Sequence, residues 1–502
     1  METLQHLALG FSTAVSLTNL LYCFIGVVLG TAVGVLPGLG PAATIAMLLP
    51  ATFVLSPVAA LIMIAGIFYG AQYGGSTTAI LVNLPGETSS VVTAIDGHQM
   101  ARQGRAGAAL AIAALGSFFA GTLATLVIVV FAPALSSLAL SFGPADYFAL
   151  MVLGLVASIV VAHGSLFHAS AMIIVGVLLG TIGSDINTGI SRFTFGYPEL
   201  LEGLSFVVLA MGLFGIADVI INLEQEGGRP VLTKNIGHLM PSRAELRQSA
   251  MPVLRGTMLG TVLGILPGGG ATLASFGAYA VEKKLAKDPD RFGKGAIEGV
   301  AAPEAANNAG AQTSFIPMLT LGIPSNPIMA MMIGAMILHG IQPGPSMMSN
   351  QPALFWGLIV SMWIGNLFLV ILNLPLIGIW VRLIRLPYRF LFPIILLFCV
   401  IGVFSLNNAT FDVYVLALMG CVGYGVRKLN FEPAPLLLGF ILGPMMEEYL
   451  RRALLISDGN PGVFLTRPIS AAMLLGSAIL LLTVVIPAVR STREVAFQED
   501  NI

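Results

Sequence analysis

The chain has 502 residues, of which 56% are hydrophobic and only 9% are charged. An average soluble domain carries about 25% charged residues, so this composition excludes a water-soluble protein, and the mean hydropathy of +0.92 indicates an integral membrane protein. A formal net charge of −1 excludes the basic surface that nucleic-acid binding requires. The three cysteines lie far apart in apolar segments, which excludes a disulfide scaffold and a structural zinc site.

Apolar stretches of the length that crosses a bilayer recur along the chain and predict an all-α polytopic membrane protein with about 12 membrane segments. In a predicted first membrane half, 1–222, these stretches lie near 17–36, 42–69, 108–132, 147–162, 169–183 and 204–222. A polar cytoplasmic linker is predicted at 223–251. In a second membrane half, 252–502, they lie near 252–281 and 312–341, both interrupted, and near 353–377, 390–405, 411–425, 434–446 and 469–489.

A glycine-rich motif occurs once in each half. The segments read GVVLGTAVGVLPGLG at 26–40 and GTMLGTVLGILPGGG at 256–270, a constant offset of 230 residues (256 − 26). Glycine at every fourth residue alone would indicate only a stripe for helix packing. A Pro-Gly-x-Gly break at the same place in both copies is not explained by packing. The motif regions 26–50 and 256–280 therefore predict an internal repeat.

Each half has a second polar break, in the motif regions 70–90 and 303–327. In the first half GGSTT at 74–78 precedes LPGET at 84–88, and in the second half GAQTS at 310–314 precedes IPSNP at 323–327. The separation is nine residues in one half (85 − 76) and eleven in the other (324 − 313), so this match requires an insertion and is weaker than the first.

The distribution of Lys and Arg predicts how the halves are oriented, because basic residues collect in cytoplasmic loops. After the first break, the second half has five basic residues within 283–294, whereas 51–58 in the first half has no charge. After the second break the bias reverses, with Arg102 and Arg105 in the first half and no Lys or Arg in 339–352. This reversal predicts two inverted repeats, with the N-terminus outside and the C-terminus in the cytoplasm.

Breaks of this kind, as broken helices or re-entrant hairpins, predict a substrate site near the middle of the membrane. Irregular backbone within a bilayer must be buried in protein or line a wet cavity. Where a helix restarts, its free N–H groups and positive dipole end favour an anion, and a carboxylate is the natural ligand. Small polar residues and glycines around the breaks are the predicted substrate-binding residues: Gly38, Gly40, Ser76, Thr77, Thr78, Gly86, Gly268, Gly270, Asn307, Asn308, Thr313, Ser314, Ser325 and Asn326.

Three further residues are candidates for coupling to a cation, Asn83, Glu87 and Glu304. Ionisable residues near membrane segments often mark ion pathways. On a helix Glu304 would share a face with Asn308 and Gln312, and it would either bind a proton or cation or lie at the edge of a loop. The alternative for all the polar residues is that they only cap broken helices or form hydrogen bonds between helices. The six histidines are scattered, and no metal site is predicted.

Four segments together resemble the TctA family, the large transmembrane subunit of the tripartite tricarboxylate transporters. They are PGLGP at 37–41, PGGGA at 267–271, GSTTAILVNLPGE at 75–87 and APEAANNAGAQTSFIPMLTLGIPSNP at 302–327. The resemblance covers nearly the whole chain, with no clear departure from the family pattern. It implies a secondary transporter of the bacterial inner membrane that imports citrate-like carboxylates. It also implies two partners, a small four-helix membrane subunit (TctB) and a periplasmic solute-binding protein (TctC).

Other functions compete with this one. A stand-alone ion-coupled carboxylate symporter without a binding protein is the first alternative, and a channel is another, although broken hairpins favour alternating access. An intramembrane enzyme is disfavoured because the chain contains neither HExxH nor GxSxG. The chain also lacks a GxxxxGK[ST] loop, which excludes an ATP-driven pump for this chain alone. No cofactor is expected besides the transported cation, Na⁺ or H⁺.

Overall fold

The computed structural model describes residues 2–36, 40–162, 165–185, 188–224, 239–266, 270–384 and 391–485. These residues are almost entirely helical, as the sequence predicts. The exception within the described ranges is a short antiparallel pair, in which Gly183–Ser184 lies beside Ser191–Arg192.

The first half contains the helices α1 to α10. They are α1 (Glu2–Ala14), α2 (Leu17–Val35), α3 (Pro41–Thr52), α4 (Pro57–Val82), α5 (Val91–Arg102), α6 (Ala106–Ala139), α7 (Pro144–Val161), α8 (Leu166–Gly180), α9 (Phe206–Ala210) and α10 (Ala217–Glu224). A π-helical turn, Met211–Ile216, joins α9 to α10.

The helices of the second half follow in the same numbering. They are α11 (Arg243–Leu263), α12 (Gly270–Leu285), α13 (Glu298–Thr313), α14 (Phe315–Leu321), α15 (Pro327–Leu338), α16 (Met347–Asn350), α17 (Pro352–Asn373), α18 (Ile377–Leu383), α19 (Leu391–Asn407), α20 (Thr410–Lys428), α21 (Ala434–Ile456), α22 (Val463–Thr466) and α23 (Pro468–Val485). Short 3₁₀ turns cover Thr88–Ser90, Pro198–Leu200 and Pro289–Arg291.

Five helical segments of the described chain are long and apolar enough to cross a membrane. They are Leu17–Val35, Pro57–Val82, Ala106–Ala139, Phe206–Glu224 and Pro352–Asn373. Shorter apolar helices of 10–17 residues accompany them, among them α3, α8 and α15. The chain is therefore a multi-pass membrane protein, as its composition indicates. The number of membrane segments stays a prediction.

Helix α4 lies at the centre of the fold, since 94% of its most apolar window is buried.

Helix α2 packs on α4 in the same way as α11 packs on α13. Glycines of α2 touch the backbone of α4, and glycines of α11 touch the backbone of α13, so closely that a Cβ at any of them would collide with a carbonyl oxygen. The contacting pairs are Gly26 with Met63, Gly30 with Ile67, Gly34 with Ala71, Gly256 with Ala302, Gly260 with Ala306 and Gly264 with Gly310.

These contacts give a second spacing between the halves. The glycines recur at an offset of 230, but the residues that they touch recur at 239 (302 − 63). The nine additional residues fall between the start of α12 and α13, where the second half carries its basic loop. The offset of 239 pairs Gly74 and Gly75 with Thr313 and Ser314. The contacts therefore favour a different register from the sequence match of 74–78 with 310–314.

Helices α4 and α13 run antiparallel to each other. The ring of Phe68, early in α4, lies 6.4 Å from the ring of Phe315, which follows α13. Ser76, two turns further along α4, contacts Glu304, which lies near the start of α13. Residues later in α4 therefore contact residues earlier in α13, which means that the two central helices run in opposite directions.

Candidate substrate and ion site

The second breaks of the two halves have the same backbone path. Helix α4 ends at Asn83 with φ of 59°, and α14 ends at Gly322 with φ of 72°, both in the left-handed conformation that ends many helices. A proline follows two residues later in each half, which keeps the intervening residue out of the helical region. The offset between these ends is 239 (322 − 83), the same as for the packed helices.

The chain then turns back into helix at two equivalent N-caps. Glu87 has φ of −153° and ψ of 165°, and Asn326 has φ of −155° and ψ of 170°. Asn326 Oδ1 accepts a hydrogen bond from the Met329 amide at 2.9 Å, which is the usual N-cap contact. Both residues are among the predicted site residues, and local capping explains their backbone position.

The first breaks lie at the starts of α3 and α12. Gly38 and Gly268 fall outside the described residues. Gly40 is the N-cap of α3, and a Cβ placed on it would meet no atom within 4 Å, so the helix start adjoins open space. Gly270, the first residue of α12, instead packs against Gly264 at the end of α11. The start of α3 is therefore open, whereas the start of α12 is packed against the end of α11.

Each break region of one half packs on the other half. The hydroxyls of Thr88 and Thr272 lie 3.1 Å apart, and Ser275 donates to the carbonyl oxygen of Ser89 at 2.8 Å. These contacts join the second break of the first half to α12. In the other direction α15, which follows the second break of the second half, packs on α3. The polar breaks therefore converge at the interface between the halves.

Glu304 lies at the centre of this interface with its side chain fully buried. Its two carboxylate oxygens accept hydrogen bonds from Ser76, at 2.5 Å, and from Thr93. Asn308, one turn later, donates to Ser117 of α6 at 2.6 Å and to the carbonyl oxygen of Glu304. No Lys, Arg or His of the described ranges forms an ion pair with Glu304. Among the described residues, the hydrogen-bond donors to this carboxylate are the two hydroxyls.

Glu87 is the second carboxylate near the interface. It accepts from Ser89 and, at 3.2 Å, from the side-chain amide of Asn307 in α13. The other atom of that amide, Asn307 Oδ1, is buried and has no hydrogen-bond partner. Asn307 thus links the second break of the first half to the central helix of the second half.

Several predicted residues contribute in other ways. The side chains of Thr77, Thr78, Thr313, Ser314 and Ser325 are buried and donate to backbone carbonyls. Gly86 allows the break to lie against Gly34 and Gly75, where a Cβ would collide with backbone atoms. Asn83 is exposed at the end of α4 and does not reach either carboxylate through a described contact.

Two other acidic residues near the apolar segments have structural contacts. Asp96 accepts hydrogen bonds from the backbone N–H groups of Gly293, Gly295 and Ala296, and so anchors the basic loop after α12. Glu298 pairs with Arg291 at 2.6 Å. Asp96 thus joins α5 of the first half to the loop before α13 in the second half, and Glu298 holds the same loop from within the second half.

A small cavity beside Glu304 is lined in part by two polar residues, Ser117 and Asn373, that sequence reasoning did not single out. Its polar lining includes Ser76 and Thr77 of α4, Ser117 of α6, Glu304 of α13 and Asn373 at the end of α17. The volume is about 10 Å³, which is room for one water molecule or one small ion. The available signal was the presence of Ser117 and Asn373 inside the otherwise apolar stretches 108–132 and 353–377.

The arrangement can support two kinds of chemistry. Helix starts and hydroxyl groups at the breaks can donate hydrogen bonds to an anion. Buried carboxylates without a basic partner require a proton or a cation, because an isolated buried charge is costly. Within the described part of the chain, no group of three or more His, Cys, Asp and Glu side chains is arranged to hold a metal ion.

Comparison with known proteins gives the family. Over its full length the chain is 59% identical to an uncharacterized 52.8 kDa protein of Agrobacterium vitis, described as lying in the TAR-I ttuC′ 3′ region, and the match covers all of that protein. A second A. vitis protein, described as lying in the TAR-II ttuC′ 3′ region, is 58% identical over 242 residues, which are 48% of this chain and all of that protein. No solved structure matches.

The family model for the tripartite tricarboxylate transporter TctA family matches residues 20–438. That range contains both glycine motifs, both second breaks and every polar residue of the interface described above. It also confirms the resemblance carried by the four sequence motifs. The protein is a membrane component of a transporter and not an enzyme, and the chain belongs to the TctA family.

Proposed function

We propose that this chain is the permease subunit of a binding-protein-dependent secondary transporter that imports carboxylates by ion-coupled alternating access. The observation that carries the proposal is the convergence of the broken helices on two carboxylates, the buried Glu304 and the partly buried Glu87, between the antiparallel helices α4 and α13. Irregular backbone at membrane depth that faces a polar interface is typical of transporter substrate sites. Citrate-like tricarboxylates and related organic acids are the proposed substrates, and the proposed location is the bacterial inner membrane.

The two halves are proposed to be inverted repeats. Three observations support this relation: equivalent glycine contacts, equivalent left-handed helix ends, and antiparallel crossing of the equivalent helices α4 and α13. Inverted repeats allow the same interface to open alternately to the two sides of a membrane. The membrane halves 1–222 and 252–502, joined by the linker 223–251, remain the proposed division of the chain.

The carboxylate is proposed to bind at the starts of α3 and α12. Gly40 provides open space at the start of α3, and hydroxyls such as Thr88 and Thr272 lie beside the start of α12. A substrate carboxylate there would accept hydrogen bonds from free backbone N–H groups, with the helix dipoles favouring its charge. Glu304 and Glu87 would serve the coupling cation rather than the substrate, because a carboxylate repels an anion.

The partners follow from family membership. A TctB-like small membrane subunit and a periplasmic TctC-like binding protein are proposed to complete the transporter, with the N-terminus outside and the C-terminus in the cytoplasm. A stand-alone carboxylate symporter is the alternative.

The deciding experiment is uptake of labelled citrate into proteoliposomes that contain this chain and its small partner. Uptake is measured with and without the purified binding protein under an imposed sodium gradient. Dependence on the binding protein is expected. Uptake without it would support the stand-alone symporter instead, and uptake that follows a pH gradient with no sodium would identify H⁺ as the cation.

The inverted arrangement is tested by accessibility of single cysteines. Lys287→Cys and Ser346→Cys are introduced after the native cysteines, including the exposed Cys421, are replaced by serine. A membrane-impermeant maleimide is expected to label the two positions from opposite faces of the membrane. Labelling of both from one face would contradict the inverted repeat.

A further inference from the structure

No Lys, Arg or His in the part of the chain that the structure describes pairs with the carboxylate of Glu304, where a positive charge would be strongly favoured. Its side chain is fully buried, and its described contacts are the hydroxyls of Ser76 and Thr93. Taking one ion from water into a protein interior costs several kcal/mol unless the charge is compensated. Two hydroxyl donors compensate such a charge only in part. The missing partner must come from outside the described side chains.

A cavity of the size of one small ion adjoins this carboxylate. With a volume of about 10 Å³ it is far too small for a di- or tricarboxylate, so it is distinct from the proposed substrate position. Its polar lining consists of oxygen-bearing side chains from four helices, α4, α6, α13 and α17. Tyr73 is also among the lining residues.

The lining oxygens act as acceptors rather than donors toward the cavity. Asn373 is 4% exposed, its amide nitrogen donates to the carbonyl oxygen of Leu369, and its Oδ1 has no hydrogen-bond partner. Thr77 already donates its hydroxyl hydrogen to the carbonyl oxygen of Tyr73. Tyr73 donates its own hydroxyl to Asn366 at 2.7 Å. A buried carbonyl oxygen that accepts no hydrogen bond and binds no cation lowers the stability of the folded protein.

Ser117 completes the same pattern. Its oxygen accepts from the amide of Asn308 at 2.6 Å, and its hydrogen is directed to the carbonyl oxygen of Glu304 at 3.5 Å. Hydroxyls whose hydrogens are already donated retain lone pairs, and such oxygens together with a carboxylate are the ligands that hard cations prefer. One carboxylate charge matches one monovalent cation.

We propose that the cavity is a Na⁺ site, with oxygen ligands available from Ser76, Thr77, Ser117, Glu304 and Asn373, and that Glu304 supplies its charge and Asn373 Oδ1 a neutral ligand; Leu110, Ala113 and Ala114 form its apolar wall. This proposal rests on the proposed transport function and names the coupling cation and its position. It selects Glu304 over the other candidates, Glu87 and Asn83, and adds residues from α6 and α17. A proton on Glu304 would neutralise the carboxylate but would leave Asn373 Oδ1 without a partner.

The test measures Na⁺ binding without substrate or partner subunits. The purified chain in detergent is melted in a titration of NaCl, with choline chloride added to keep the ionic strength constant, and in a parallel titration of KCl. Na⁺ is expected to raise the melting temperature of the wild type in a saturable manner. Glu304→Gln should abolish this stabilisation, and Asn373→Ala should raise the half-saturating Na⁺ concentration by about tenfold, since one neutral ligand is lost.

Glu282→Gln is the matched control. Glu282 is as deeply buried as Asn373, at 4% exposure, but Arg255 neutralises it through a hydrogen bond of 2.6 Å. This variant should keep the Na⁺ response of the wild type even if its own melting temperature falls. Because each variant is compared with itself with and without Na⁺, a general loss of stability does not imitate loss of the site.

Three results would overturn the proposal: equal stabilisation by Na⁺, K⁺ and choline, a full Na⁺ response in Glu304→Gln, or a response to pH that replaces the response to Na⁺. The last would identify a proton site or a cavity that holds only water. Na⁺ binding combined with no carboxylate uptake in proteoliposomes would leave the cation site standing and contradict the proposed transport function. The two proposals therefore fail separately.

Discussion

In the first half, the helix before the second break ends at Asn83, and the turn after it is capped by Glu87. In the second half the positions 239 residues later are Gly322 and Asn326, with nearly identical backbone angles. The carboxylate of one half thus stands where the other has an amide. Along the central helices the carboxylate is instead in the second half, since Glu304 of α13 corresponds at the same offset to Ala65 of α4 (304 − 239), which has no polar side chain.

This comparison separates what the two halves share from what each has alone. The backbone is shared, because Gly-to-carbonyl contacts and left-handed helix ends recur in both. The charges of the site are not shared: the first half supplies the partly buried Glu87 and the second half the fully buried Glu304, from different positions. Two halves with similar backbone contacts can in this way enclose an asymmetric site, because the two carboxylates do not occupy equivalent positions and like charges are not placed opposite each other.

The strongest way to break the comparison is to remove the glycine contacts. Gly30→Ala and Gly260→Ala each place a Cβ against a backbone carbonyl, that of Ile67 or Ala306, which cannot move without shifting a helix. We expect each to destabilise the protein by about 3 kcal/mol or more, measured as loss of monodisperse protein after extraction and a lower melting temperature. Gly425→Ala, where a Cβ would meet no atom within 4 Å, is the control. Tolerance at only one of the two positions would show that the halves pack differently.

The second comparison is between the two carboxylates. Glu304→Gln is expected to lower sodium-driven uptake by about a hundredfold or more, since it removes a fully buried charge that has no substitute. Glu87→Gln should cost only about tenfold, because a glutamine can still cap the following turn and contact Asn307. Both are measured as initial uptake rates in proteoliposomes normalised to inserted protein. Equal losses, or a larger loss for Glu87→Gln, would reverse the assignment of roles.

The helix ends allow a smaller but sharper comparison. Gly322→Ala should cost more than Asn83→Ala, because alanine is strained in the left-handed conformation by about 1–2 kcal/mol at either position and, at 322, also approaches the carbonyl oxygen of Pro343 at 2.9 Å. Asn83→Gly should be close to neutral. Melting temperatures of the three variants measure this order. A neutral Gly322→Ala would mean that the second break does not hold this backbone.

The smallest expected effect concerns an ion pair between Arg105, after the second break of the first half, and Glu245 at the start of α11. Arg105 pairs with Glu245 at 2.8 Å, and this hydrogen bond lowers the pKa of the Glu245 carboxyl below its usual value. Because the pKa is lowered on folding, the pair stabilises the protein above the usual Glu pKa and loses that contribution as the pH falls through the lowered one. Both side chains are partly exposed, so Arg105→Ala should cost less than about 1 kcal/mol at neutral pH. The difference in melting temperature between wild type and variant should shrink at acidic pH; a constant difference would refute this role.

Sequence reasoning located the breaks because Gly and Pro act on the backbone directly. The ends of α4 and α14 and the restarts at Glu87 and Asn326 follow from such residues. The register of the second break could not be predicted correctly in the same way, because the contacts that set it are made to backbone carbonyls, which every residue has. Met63 and Ala302 make equivalent backbone contacts with Gly26 and Gly256. Their side chains differ, so the sequence shows no sign that the two positions correspond.

The cavity beside Glu304 could not be predicted from the sequence, for another reason. Ser117 and Asn373 lie far along the chain from Glu304, and only the packing of α6 and α17 against α13 and α4 brings them together. A single polar residue in an apolar helix commonly makes an ordinary hydrogen bond to the preceding turn. The sequence therefore does not show which residues of other helices such a residue contacts.

The interlocked glycine contacts between α2 and α4, and between α11 and α13, have a mechanical consequence. For either pair to slide, its glycines would have to jump to the next matching carbonyl four residues away, about 6 Å along the helix axis. Such a ratchet step would cross severe overlap at each intermediate position. Each pair therefore moves as a rigid body. Any movement of one pair relative to the other therefore changes the contacts between α4 and α13, the hydrogen bond from Ser76 to Glu304 among them.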